Sequence, residues 1–401
     1  MKLNYKHTRY ACYLASITSA IVNNFTPLLF VTFSDTFGIS LEQLGFIVTA
    51  NFVIQMCVDF FGAKYADKIG YRQLMLLSQL LQAIGLVSLG ILPFIMSDHY
   101  WGIIISTILF GMGSGFNEVI RSPIFEAIPG DEKSAQMSFM HSFYSWGSML
   151  VIIVSTVYFA VFGIENWRFL TYLWASISVL TFIVFIKVPI AVLNEGSQTV
   201  SLKKLFSLKL FWILIIMMIC SGALEIAMGQ WSSMFVEKGL GISKSLGDII
   251  GPCMFAFTMA IARTFYGKFG NKINLIRFMT VSCVLCIISY LMTSLSASKI
   301  ISVAGCALCG FSVGIMWPGI MSISSEKCPE GGTPMFGYLA FAGDIGCSIG
   351  PYIVGIVANS MNSASEYESL RAGLLSVIVF AVVMLILMFV ARKEHTNKQK
   401  K

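Results

Sequence analysis

Apolar residues in this chain run in long blocks separated by short polar turns. A bilayer-spanning helix needs roughly 20 consecutive apolar residues. The pattern predicts twelve such runs, at 8–33, 41–64, 72–96, 101–126, 135–162, 168–188, 209–235, 245–268, 274–296, 299–325, 333–359 and 368–391. Most connections are short. The longest, from about Pro189 to Ser207, is polar (NEGSQTVSLKK) and parts six runs from six. The expected architecture is an all-α membrane protein of twelve transmembrane helices. They form two six-helix bundles, residues 1–189 and 209–401, joined by a linker at 190–208.

Composition sharpens this. The 401 residues are 56% hydrophobic and 12% charged, whereas soluble domains carry about 25% charged residues. So much apolar surface calls for lipid as the solvent. The net charge of +7 does not point to nucleic acid, because Lys and Arg gather at the termini and in alternate loops. That alternation orients the chain. Lys2, Lys6, Arg9, Lys64, Lys68, Arg72, Lys133, Lys203, Lys204, Lys268, Lys272, Arg277, Lys327 and the tail from Arg392 fall on one side. Only Arg168, Lys238, Lys244, Lys299 and Arg371 fall on the other. By the positive-inside rule both termini are expected in the cytoplasm of a cell with this protein in its cell (inner) membrane. No cleavable signal is expected, since the first run is too long for one.

Enzyme chemistry finds no foothold. GLGISKS at 239–245 lacks the glycine spacing of a phosphate-binding loop, and GMGSG lies inside an apolar run, not after a strand. Cys283-x-x-Cys286 and Cys306-x-x-Cys309 have the spacing of zinc pairs but sit in apolar runs without a nearby His, so packing is expected there. No cofactor or metal is expected. The expected partners are a small solute, protons and the bilayer, with the protein as a monomer.

The halves repeat. AKYADKIGYR (63–72) aligns with GKFGNKINLI (267–276) at a shift of 204, and Gly111, Gly115 and Gly147 meet Gly310, Gly314 and Gly346 at a shift of 199. Repeated halves are the mark of carriers that rock one bundle against another around a midplane site.

Charged and amide side chains inside the apolar runs mark where such a site belongs. An ionisable group at a helix centre costs about 2.5–3.5 kcal/mol on insertion scales and faces a cavity or a partner. The fourth run holds Asn117, Glu118 and Arg121 on one stripe, as i, i+3 and i+4 neighbours. They read either as an ion pair that only packs helices or as a proton-titrating carboxylate held by a cation. Asn51, Gln55 and Asp59 follow at i, i+4, i+8. Under the shift of 204 Asp59 corresponds to Arg263, which suggests a pair across the halves with a gating role. Asn23, Asn24, His141, Tyr144, Gln230, Trp231, Trp317 and Asp344 complete the candidate lining of the solute site, with Gln55 and Asn117. Glu225 joins Glu118 and Arg121 as a candidate for proton coupling. Flat indoles beside amides suit a sugar, whose C–H faces stack and whose hydroxyls hydrogen-bond; ordinary interfacial packing is the plain alternative for each Trp.

ADKIGYR, with Asp67, Lys68, Gly70 and Arg72, resembles the cytoplasmic motif of the major facilitator superfamily, with Ala63 in place of the usual Gly. The resemblance implies a charge latch at Asp67, Lys68 and Arg72. GMGSGFNEVIRSP followed by MHSFYSWG resembles the fucose–proton symporter group within that superfamily. By that likeness Glu118 takes part in proton coupling. The group's acid in the first span is missing; only Asn23 and Asn24 are offered there, and Arg121 and His141 are further departures. The expected function is proton-coupled uptake of a sugar or sugar-like solute. An exporter of organic anions or amphipathic compounds, and a membrane sensor that has lost transport, are the alternatives.

Overall fold

The computed structural model describes residues 3–39, 41–191, 202–236, 240–242, 246–247, 249–361 and 365–399. Most of the expected linker at 190–208, and the loop charges Glu237, Lys238, Lys244 and Asp248, lie outside them. The described chain is almost wholly helical. The first half holds α1 (Tyr5–Leu28), α2 (Phe30–Phe37), α3 (Leu41–Ile69), α4 (Tyr71–Leu89), α5 (Leu92–Ile95), α6 (His99–Ala127), α7 (Lys133–Phe162) and α8 (Trp167–Lys187). Then come α9 (Leu202–Ser207), α10 (Lys209–Met234), α11 (Met254–Phe269), α12 (Leu275–Leu295), α13 (Lys299–Val313), α14 (Met316–Lys327), α15 (Gly332–Ser360), α16 (Glu366–Ser376) and α17 (Ile378–Gln399).

Among the described residues, ten helical runs are long and apolar enough to cross a membrane, and they begin at Tyr71. The chain is a multi-pass membrane protein. The first two expected runs are helical as α1–α2 and α3. Helix α3 is continuous over 29 residues and contains the apolar stretch Phe46–Gly62, while α1 carries Ser16, Thr18, Ser19, Asn23 and Asn24.

Several expected runs are broken, and proline explains most of the breaks, because it has no N–H for the carbonyl four residues back. Pro27 precedes the interruption at Leu29 between α1 and α2. Pro93 lies in the short α5 that follows α4, and Pro252 in a π-helical turn, Ile249–Cys253, that opens the run of α11. Pro318 follows the break at Gly314 and Ile315 between α13 and α14.

The helices gather into two compact units. The first comprises Met1–Asp131, Phe143–Thr199 and Glu330–Phe341; the second comprises Glu132–Ser142, Val200–Pro329 and Ala342–Lys401. Helices α7 and α15 are thus each divided between units. The core of the first is built from Phe25, Phe33, Leu86, Phe110, Trp167, Leu170 and Trp174.

Glycines carry the repeat into three dimensions. Small residues let helix backbones approach closely. Gly111 lies against Asn51 and Ile54, and Gly310 lies against Phe255 and Thr258. Gly115 meets Gln55 and Val58, and Gly314 meets Met259 and Ala262. Each glycine has moved by 199 and each neighbour by 204, so the two shifts read from the sequence describe one packing used twice. Gly147 against Ile17 and Ala20 recurs as Gly346 against Ile219 and Ala223.

A pair of arginine clamps repeats too. The last carbonyls of a helix lack N–H partners and attract cations. Arg168 Nε donates to Gly90 O at 2.9 Å, beyond the end of α4, and its guanidinium lies 4.0 Å from the Phe94 ring centre. Arg371 Nε donates to Ser294 O at the end of α12, with its guanidinium 4.8 Å from the Tyr367 ring centre. Ser294 is the 204-shift equivalent of Gly90. Arg168→Ala and Arg371→Ala should each lower the thermal midpoint of the detergent-purified protein by a few degrees, from the loss of about 1–2 kcal/mol. Midpoints equal to wild type in both would mean the clamps are ornamental.

Candidate functional site

In the first unit the polar residues of α6 are fastened to α1. Asn117 Nδ2 donates to Ala15 O at 2.7 Å and Ser19 Oγ at 2.9 Å. One turn on, Arg121 Nη1 donates to the same Ser19 Oγ at 3.2 Å. Arg121 Nη2 donates to Glu118 Oε2 at 2.5 Å, so the i, i+3 spacing does close an ion pair. The partners are unequal: the Arg121 side chain is 1% exposed and that of Glu118 is 17% exposed. The carboxylate is therefore the more accessible end of the pair, while the guanidinium is held in the protein.

A turn further along α1 lies an amide network. Asn51 Nδ2 and Gln55 Nε2, from α3, donate to Asn23 Oδ1 at 3.2 Å and 3.3 Å. Asn24 Nδ2 donates to Ala20 O at 2.9 Å and to Ser148 Oγ of α7 at 3.0 Å. Asp59, the third member of the α3 stripe, is fully buried. Tyr144 is half-buried, and its carbonyl accepts from Ser148 Oγ at 3.0 Å.

In the second unit a second buried ion pair joins α10 to α11. Arg263 Nη2 donates to Glu225 Oε2 at 3.1 Å, with side chains 3% and 9% exposed. Arg263 Nε donates to Gly314 O at 2.8 Å, and Nη1 to His141 O at 3.4 Å. The Gly314 carbonyl is free to accept because Pro318, four residues on, has no N–H. The guanidinium thus stands in for a missing backbone donor at the α13–α14 break while it neutralises Glu225. Ser138 Oγ donates to Arg263 O at 2.9 Å, so the first turns of α7 are bound to α11 as well. The stretch MHSFYSWG is divided: His141 belongs with Arg263 and Glu225, and Tyr144 with the first unit.

The indoles differ in what they have left to offer. Trp231 N–H donates to Pro351 O at 3.1 Å, so only its ring face remains. The Trp317 ring packs on Gly343, and its buried N–H meets no acceptor. Asp344, next to that glycine, is buried, and Gln230 is exposed.

In ADKIGYR the Tyr71 hydroxyl donates to Asp67 Oδ1 at 3.1 Å and meets Thr333 Oγ1 of α15. Arg72 donates to Phe185 O, Ile186 O and Val188 O at 2.6, 2.7 and 2.8 Å and closes the end of α8. Lys68 is exposed, with its ammonium 5.9 Å from the Tyr65 ring centre. Among the described residues no group of His, Cys, Asp and Glu side chains is placed to hold a metal ion.

Two features escaped the sequence reading. Glu225 and Arg263 are 38 positions apart with no periodic relation, although Pro318 marked a carbonyl in need of a donor. The buried amide of Gln82, which with Ser78 Oγ donates to Gly113 O, lies in a run that reads as plain apolar helix.

The family model described as Major Facilitator Superfamily matches residues 12–351. A curated relative from Lactococcus lactis subsp. lactis (strain IL1403), described as a multi-drug resistance efflux pump PmrA homolog, is 20% identical over 346 residues, covering 84% of this chain and 82% of its own. The solved proton:xylose symporter XylE, bound to 6-bromo-6-deoxy-D-glucose, is 12% identical with a TM-score of 0.83, over 96% of this chain and 95% of its own. The E. coli fucose:proton symporter FucP, solved as a variant, is 14% identical with a TM-score of 0.76, over 96% of this chain and 98% of its own. These two likenesses show a shared fold.

Proposed function

The chain belongs to the major facilitator superfamily, a family of membrane transporters and not of enzymes, and on that premise we propose that it is a proton-coupled importer of a sugar or sugar-like polar solute. It works by alternating access, with twelve spans in two six-helix bundles and both termini on the cytoplasmic side of the cell membrane. The observation that carries the reading is the Glu118–Arg121 pair, whose carboxylate is the more exposed partner and whose guanidinium is anchored on Ser19. Asn23 follows Ser19 by four residues on α1, about 6 Å along its axis, so a solute held by the amides lies within reach of the titrating group. Glu225 with Arg263 is the second candidate proton site. Asn23, Asn24, Gln55 and Asn117 line the solute site in the first unit; His141, Trp231, Trp317 and Asp344 are its candidates in the second. That XylE and FucP are proton symporters of xylose and fucose supports this class of cargo.

The efflux pump homolog supports a second reading, an exporter of organic anions or amphipathic compounds. Purified protein in liposomes decides between them. Radiolabelled pentoses and hexoses, organic acids and a lipophilic cation are offered with and without an imposed pH step. Accumulation of a neutral sugar with the proton gradient is expected. Movement of the organic acid or the cation against the sugar's direction would favour the exporter, and movement of none would remove the transporter reading.

A further inference from the structure

Two adjacent asparagines on α1 are held in opposite senses. A primary amide has one end that donates and one that accepts, and its orientation follows from what each end must face. A backbone carbonyl only accepts. Asn24 lies 2.9 Å from Ala20 O through Nδ2, so its amide nitrogen is turned to the helix and to Ser148, and its Oδ1 is turned away. The orientation of Asn23 is set through its neighbours. Gln55 Nε2 faces the backbone carbonyl of Asn51 at 3.4 Å, so the nitrogen end of Gln55 points to that side. The same nitrogen meets Asn23, which must therefore present Oδ1 to it, and Asn51 Nδ2 donates to the same oxygen. That leaves the Asn23 N–H2 group turned away from the network. Both residues are half-buried, and neither the Asn23 nitrogen nor the Asn24 oxygen is sealed in the protein.

We infer that Asn23 and Asn24 form a donor–acceptor pair that selects a neutral, hydroxylated solute over an organic anion or an amphipathic cation. This deepens the transporter reading above and rests on it. A hydroxyl both donates and accepts, so a polyol satisfies Asn23 N–H2 and Asn24 Oδ1 together. A carboxylate has no proton for Asn24 Oδ1, an anion that keeps hydroxyls, such as an aldonate, brings its charge toward the partly exposed Glu118 carboxylate, and a quaternary or lipophilic cation has no acceptor for Asn23. Arg121 does not reverse the preference, because its guanidinium is 1% exposed and bonded to Glu118 and Ser19. Asn51 and Gln55 are positioning residues, which hold Asn23 in its sense.

The test uses the full chain in proteoliposomes and counterflow exchange, which needs no proton gradient. The probes are D-glucose, D-galactose, D-xylose and L-fucose, the aldonate of each, and tetraphenylphosphonium. At least one aldose should exchange, and its aldonate should do so at least tenfold more weakly. Asn23→Asp, which replaces the donor end by an acceptor, and Asn24→Leu should each weaken the apparent affinity for that aldose about tenfold. If Asn23→Asp fails to fold, Asn23→Leu carries the comparison, and the aldose-to-aldonate ratio of the unaltered protein needs no variant. Preference for an aldonate or for tetraphenylphosphonium, or aldose exchange at full affinity in the Asn23 and Asn24 variants, would overturn the inference and leave a transporter standing. Exchange of none of the probes would bring down both.

Discussion

Replacing Glu118 by Gln is expected to leave solute exchange running and to abolish uphill accumulation. Gln keeps the shape of the side chain and an oxygen for Arg121 Nη2, but it cannot take up a proton. A carrier that moves one proton with one solute can concentrate the solute about 100-fold under a two-unit pH step, since each unit is worth about 1.36 kcal/mol. Glu118→Gln should bring that ratio to about one, while counterflow stays within a few-fold of wild type. Glu118→Ala is the harsher change. It leaves the Arg121 guanidinium, 1% exposed, without its counter-charge, so lost folding would mask lost coupling. The clean measurement is the pair of assays on the Gln variant. Normal accumulation by Glu118→Gln would assign the proton elsewhere, and Glu225 is then next to be tried.

The second large effect is on stability. Arg263→Met should cost about 3–5 kcal/mol, because removing one partner of a buried pair strands the other. Here it strands more than Glu225. The carbonyl of Gly314 loses its donor as well, and it has no helical N–H to fall back on. A fall of ten degrees or more in the thermal midpoint is expected. Combining Arg263→Met with Glu225→Leu removes the carboxylate that has lost its arginine and should recover part of the loss. It should not recover all, since the α13–α14 break still lacks its donor. A double variant no better than the single would show that the charge on Glu225 is not what makes the arginine necessary.

Much of this architecture is written in the sequence because lipid leaves few choices. Long apolar runs must be helices, and ten of those expected from Arg72 onward correspond to membrane-length helices. The repeat was legible for the same reason. Close helix crossings demand glycine, so Gly111, Gly115 and Gly147 recur where the packing recurs. The pair at Glu118 and Arg121 was legible because helical spacing alone brings i and i+3 together. Partnerships between helices were not. The bond of Arg263 to Glu225 on α10 is a contact fixed by tertiary packing and by one proline, and no sequence period announces it. Arg72 was read for its charge, while its geometry is that of a fork closing on three backbone carbonyls. Amide orientation was out of reach altogether, since Asn23 and Asn24 look alike until their neighbours are known.

The cysteines, read at first as a question about metals, leave the protein with a built-in chemical reporter. None of the ten is in a disulfide; eight are buried, Cys328 is half-buried, and Cys57 on α3 is exposed. Thiol capping proceeds through the thiolate, which forms only where water is at hand. A charged maleimide added to the native protein therefore has Cys57 as its first target. Its labelling rate there tells an aqueous surround from acyl chains on that face of α3, two residues before Asp59, with no cysteine introduced.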